Sequence, residues 1–92
     1  MAHLTANRDK LKARLSRLQG QLAAVERALD GGKPCGDVLN LVASIRGAIN
    51  GLTAELMEEH IRAHLSDPDA EADAGRAKGA ADLIDALRSY LK

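Results

Sequence analysis

Aromatic residues are almost missing from this chain. Phenylalanine and tryptophan are absent and Tyr90 stands alone, so aromatics make up 1% of the 92 residues. A core must then be built from Leu, Ile, Val and Ala, which suits packed helices and does not suit a β-sandwich. Cysteine is nearly missing as well. Cys35 is the only one, so an internal disulfide is excluded and a free thiol is expected. No run approaches the ~20 apolar residues of a membrane span, which argues against a membrane partner. The first residues hold no apolar signal core, so the expected compartment is a reducing cytoplasm. Neither charge sign is in excess: 13 Lys and Arg balance 13 Asp and Glu. A chain this short is marginal as a lone domain, and partner chains often supply the missing burial. The expectation is one helical domain, residues 1–92.

What is present is helical periodicity. From Cys35 to His64 the apolar positions Val38, Leu41, Ile45, Ala48, Leu52 and Leu56 recur every three or four residues, which is the period of one helix face. Pro34 and Gly36 mark its start, Asp37 is the expected N-cap, and Pro68 forbids continuation, giving bounds of about 36–66. An earlier helix is expected over about 7–29, with Thr5 or Asn7 as its cap. There Leu11, Leu15, Leu18, Leu22, Val25 and Leu29 alternate spacings of four and three, a seam for one or more partner helices. Asp30-Gly31-Gly32-Lys33-Pro34 turns the chain back. Gly47 and Gly51 share a face of the long helix and suggest close helix approach. Ser66 to Gly75 reads as an acidic, solvated connector, and a third helix over about 76–91 carries Ala80, Leu83, Ile84, Leu87 and Leu91 on one face. The fold class is all-α: an antiparallel hairpin plus a short third helix, pairing into a four-helix bundle and then a dimer of dimers.

Charge is unevenly spread. Before Pro34 seven cations face three acidic residues. Lys10, Arg14, Arg17 and Gln21 sit one position before the leucine seam, so they form a stripe roughly 100° around the helix. Such a stripe is often only a solvated face. It can also hold phosphates, although the chain has no helix-turn-helix, zinc finger or aromatic stacking set.

The scarce ligand-type residues form a second pattern. His60 and His64 are four apart and project from one helix face. The hairpin brings His3 close to them. Cys35 lies about 37 Å from His60 along a straight helix, so one chain cannot unite them. Two antiparallel copies can, each cysteine meeting the other chain's histidines. The expected set is His3, Cys35, His60 and His64. Loss of the initiator methionine before the small Ala2 would add the Ala2 amine. Imidazoles suit Zn(II), Ni(II), Co(II) and Cu(II), whereas Cu(I) prefers more sulfur. Four ligands make a tetrahedral Zn(II) site, and a fifth from Ala2 favours Ni(II) or Co(II). Singly, the bland readings are strong: a histidine pair can simply suit a helix C-terminus, and a lone cysteine is often an inert hydrophobe.

The chain resembles the CsoR/RcnR family of bacterial metal-responsive repressors along essentially its whole length. The resemblance is carried by Leu18-Gln19-Gly20-Gln21-Leu22, Cys35, Arg46-Gly47-Ala48-Ile49-Asn50-Gly51-Leu52, Glu55, His60, His64 and the ending Tyr90-Leu91-Lys92. It implies an all-α dimer that pairs into a flat tetramer, binds operator double-stranded DNA without effector and releases it on binding effector. Copper sensors of the family use a Cys, His, Cys pattern; His64 replaces the second cysteine, which argues against Cu(I) and against persulfide chemistry. The nickel/cobalt branch pattern, an N-terminal His followed by Cys, His, His, matches His3, Cys35, His60 and His64. The formaldehyde branch has a proline where Ala2 stands. The DNA-contacting positions of the family correspond to Lys10, Arg14 and Arg17, with Gln21 on the same stripe and Arg46 joining from the second helix.

The expected function is a Ni(II)/Co(II)-responsive repressor, with Zn(II) or copper binding in vitro. The alternatives are an aldehyde- or electrophile-sensing repressor acting through Cys35 and the N-terminal amine, and a helical metal-binding assembly protein with no DNA role. No general base or nucleophile constellation points to an enzyme.

Overall fold

Each helix begins and ends where local chemistry requires it. In the computed structural model, which describes residues 7–92, the elements are α1 (Arg8–Asp30), α2 (Cys35–His64) and α3 (Ala74–Tyr90), with no strand among the described residues. α1 ends at Gly31 and Gly32. Gly32 takes a positive φ of 64°, which only glycine adopts without strain. The Lys33 N–H then reaches back to the Ala28 carbonyl at 2.9 Å, closing the last turn of α1. α2 starts earlier than expected. Pro34, at φ −53° and ψ 143°, takes the cap position, and Asp37 falls inside the first turn. The Pro34 carbonyl accepts from the Asp37 and Val38 N–H groups, so no side-chain cap is needed.

Asn7 does occupy the N-cap of α1, but its side chain makes no cap bond. Its amide instead donates to the Glu59 carboxylate near the end of α2. Thr5 lies outside the described residues. At α3 the cap is Asp73, whose carboxylate accepts the Arg76 N–H at 2.9 Å.

α1 and α2 form the antiparallel hairpin, and α3 packs on the far half of α2. Leu11, Leu18 and Ala28 of α1 are buried, as are Ile45 and Ala54 of α2. Ile61, Ala80 and Ile84 form the cluster that seats α3, with Leu87 against it. The expected α2 row faces inward, Ile45 fully and Val38, Leu41, Ala48, Leu52 and Leu56 partly. The α1 seam is split. Leu11 and Leu18 are buried, while Leu15, Leu22 and Leu29 stay 46%, 57% and 63% exposed. α2 adds a second exposed apolar row, Leu39, Val42 and Ile49.

The chain is long and thin, with extents of 57 × 25 × 13 Å. Its radius of gyration is 17.3 Å, against about 12 Å for a compact domain of this length. Its accessible surface is 6545 Å², against about 5,200 Å² expected from its mass.

The acidic connector is more ordered than its composition suggests. Arg62, near the end of α2, holds Asp67 at 2.7 Å and Asp69 at 3.1 Å, as well as Glu58 one turn back at 3.1 Å. Glu58 also accepts from Arg88 of α3 at 2.6 Å. Burial pushes the Glu58 carboxyl up, but hydrogen bonds from Arg88 and Arg62 together hold it below its usual value. Hydrogen bonding to Glu58 in turn raises Arg62.

Candidate metal centre and nucleic-acid interface

The three described ligand candidates all lie at the ends of α2. Cys35 is its first residue and carries a free, exposed thiol. His60 and His64 occupy its last two turns, with ring centroids 4.7 Å apart and planes tilted by 48°. Two imidazoles at this separation can converge on one ion. Cys35 cannot join them within the chain, because the intervening helix is unbroken and about 37 Å long. Among the described residues no group of three or more His, Cys, Asp or Glu side chains converges as a cation cage. His3 and Ala2 lie outside the described residues.

One contact ties the start of α1 to this end of α2. The Asn7 amide donates to Glu59 Oε1, and Glu59 immediately precedes His60. Glu59 Oε2 is buried and has no hydrogen-bond partner among the described residues. The sequence reading assigned no role to Glu59.

The basic stripe is not a uniformly solvated face. Lys10 is largely exposed, with Nζ 3.8 Å from Glu55 Oε1. Arg14 is only 24% exposed and ion-pairs with the same carboxylate through Glu55 Oε2. Its guanidinium lies across Gly51: a Cβ on that residue would sit 3.0 Å from Arg14 Nη2. Gly51 thus does admit a close approach, of a side chain rather than of a helix backbone. Among the described residues, nothing beyond its chain neighbours and its own helix backbone lies within 4 Å of the corresponding point at Gly47. Arg17 and Arg46 are exposed, and Gln21 reaches Ser44 Oγ at 3.5 Å. Arg14, Arg17, Leu18, Gln21 and Ala48 line a groove of about 220 Å³.

Glu55 and its two cationic partners were missed as a set. The signal was available in the register of the hairpin. With the turn at Gly31–Pro34, residues equidistant from it face each other, which places Arg14 opposite the turn of helix holding Gly51 and Glu55.

A family model described as metal-sensitive transcriptional repressor matches residues 7–89. The chain belongs to the metal-sensitive transcriptional repressor family. Its relatives match from end to end. The transcriptional repressor RcnR of Salmonella typhimurium strain LT2 is 39% identical over 93 residues, all of both chains. RcnR of Citrobacter koseri is 37% identical over 92 residues, again all of both. A Serratia marcescens protein named only for its place in the bioA 5′ region is 44% identical over 92 residues, with full coverage of both. Membership makes the chain a metal-responsive, DNA-binding repressor and not an enzyme. This removes the assembly-protein alternative. No helix among the described residues is long and apolar enough to cross a membrane.

Proposed function

We propose that this repressor responds to Ni(II) or Co(II) through a site shared between two chains. The observation that carries the reading is the placement of Cys35 and the His60/His64 pair at opposite ends of one unbroken helix. Antiparallel pairing of α2 with its copy brings the partner's Cys35 to His60 and His64. The exposed rows Leu15, Leu22, Leu29 and Leu39, Val42, Ile49 supply apolar surface for that pairing and for assembly into a tetramer. The surface excess of the elongated chain, roughly 1,300 Å², exceeds the ~800 Å² that each partner buries in a standard interface. On this reading residues 1–92 act as one unit.

His3 completes the set. It stands four positions before Asn7, a span of chain that reaches at most about 14 Å, and Asn7 touches Glu59. The Ala2 amine is a further donor in the same reach. Three imidazoles, one thiolate and an amine fit Ni(II) or Co(II) better than Cu(I).

In the effector-free tetramer Lys10, Arg14, Arg17 and Gln21, with Arg46 from α2, contact DNA phosphates largely through charge and shape. Engagement of His3 together with the partner's Cys35 constrains the start of α1, and Lys10 and Arg14 follow one to two turns later. The metal-bound arrangement must disfavour the DNA-bound one by its differential affinity, about 1–3 kcal/mol in typical cases.

The test follows the anisotropy of the protein's own upstream DNA while Ni(II), Co(II), Zn(II), Cu(I) and formaldehyde are titrated in. Release by nickel or cobalt at the lowest free concentration is expected. His64→Leu should stay folded and bind DNA but no longer release it with nickel; unchanged release by that variant refutes the ligand assignment. Release by formaldehyde alone would move the chemistry to Ala2 and Cys35.

A further inference from the structure

Glu55 is the one acidic side chain among the described residues that ion-pairs with the basic stripe. Its carboxylate pairs with Arg14 through one oxygen and lies 3.8 Å from Lys10 through the other. The pair is sheltered: the Glu55 side chain is 15% exposed and that of Arg14 24%. The shelter is built by Gly51, which leaves space that a Cβ would take, 3.0 Å from Arg14 Nη2. Two features of α2, one turn apart, therefore hold one guanidinium of α1.

We propose that Glu55 competes with DNA for Arg14, and that the slot formed by Gly51 and Glu55 sets the DNA affinity of this repressor. The proposal rests on the reading of Arg14 as a phosphate contact. A guanidinium fork is satisfied by a carboxylate or by a phosphate, and the same N–H groups cannot serve both fully. Arg14 must loosen from Glu55 to reach a phosphate, and Glu55 is then left near an incoming polyanion. Both effects oppose binding. Lys10, at longer range and largely exposed, is held more weakly and exchanges more freely. A positioning residue with this role restrains DNA binding and makes it depend on where α1 lies against α2. Small movements of α1 that open or close the slot would change how much of the stripe is available.

The experiment measures affinity and its salt dependence for Glu55→Gln, Gly51→Ala, Arg14→Ala and Asp9→Asn in the full chain. The probes are the protein's own upstream DNA and an unrelated duplex. Glu55→Gln should bind roughly fivefold more tightly, with a steeper dependence on salt because no carboxylate takes up a cation when Arg14 leaves it. Asp9→Asn makes the same charge change on α1 and controls for the general field; an equal gain there overturns the proposal. Gly51→Ala changes no charge, displaces the Arg14 head from its slot and favours the helix. It should tighten binding in the same direction, by about two- to threefold. Weaker binding by Glu55→Gln would make Glu55 an aid to Arg14 and overturn the competition. Arg14→Ala separates the two layers. If it loses no affinity, the reading of the stripe fails and takes the proposal with it. If it loses affinity while Glu55→Gln gains none, the proposal alone fails.

Discussion

A site shared between chains predicts complementation between two inactive variants. Cys35→Ser removes the thiol from every site, and His64→Leu removes an imidazole from every site. Each variant alone should bind nickel or cobalt poorly. In an antiparallel pair made of one chain of each kind, one site takes Cys35 from the His64→Leu chain and both histidines from the Cys35→Ser chain. That site is intact. The other lacks both ligands. Random remixing makes about half of the pairs mixed, so about a quarter of all sites should recover. The geometry leaves no alternative within one chain. Cys35 and His60 are separated by about 37 Å of continuous helix, whereas a metal accepts ligands at about 2–2.3 Å. The assay is the thiolate-to-cobalt charge-transfer absorption of co-refolded or co-expressed variants, against each variant refolded alone. Recovery near a quarter of the wild-type signal is expected. Absence of recovery in a sample shown by mass to contain mixed pairs refutes the shared site. Full wild-type binding by Cys35→Ser alone would refute the thiol's role altogether.

Two further outcomes follow from the packing and charge of the far end of α2. Ile61 is 5% exposed in the cluster that seats α3, so Ile61→Ala should destabilise the fold by about 2–4 kcal/mol. Its thermal midpoint checks this, and a shift within error would mean that α3 is held by its ion pairs. The Glu58 carboxyl is held below its ordinary value by Arg88 and Arg62 against the opposing effect of burial. A depressed folded value gives stability that is full above the unfolded value and is lost as pH falls through the folded one. Glu58→Gln should therefore be less stable than wild type at about pH 6, with the gap closing as pH falls through the folded value, as read from urea midpoints. A gap independent of pH would show that the carboxylate's charge is not what matters there.

Much of the architecture was written in local pattern. The helical period, Pro34 and Pro68, and the glycines of the first turn mark three helices to within a few residues of their observed bounds, because these signals act through the nearest few peptide units. The seam of α1 was equally legible, but not its division. Spacing shows that Leu11 and Leu15 share a stripe; only packing against α2 decides that Leu11 is buried while Leu15 remains 46% exposed. The acidic connector shows the same limit. Composition marks it as polar, yet Arg62 draws Asp67 and Asp69 onto the end of α2.

The candidate site divides along the same line. The sequence by itself limited the histidine and cysteine candidates for the proposed site to four, His3, Cys35, His60 and His64. It also determined that Cys35 cannot meet His60 within one chain, because helix rise per residue is a constant. Tertiary structure alone decided which members of the basic stripe are available. Lys10, Arg14, Arg17 and Gln21 are equivalent in spacing, but the register of the hairpin sets Arg14 over Gly51 and against Glu55 and leaves Lys10 largely exposed, at longer range from the same carboxylate. A helical period reports the angle around an axis. The neighbour at that angle is supplied by another segment, some forty residues away, and is set by how the two helices slide past each other.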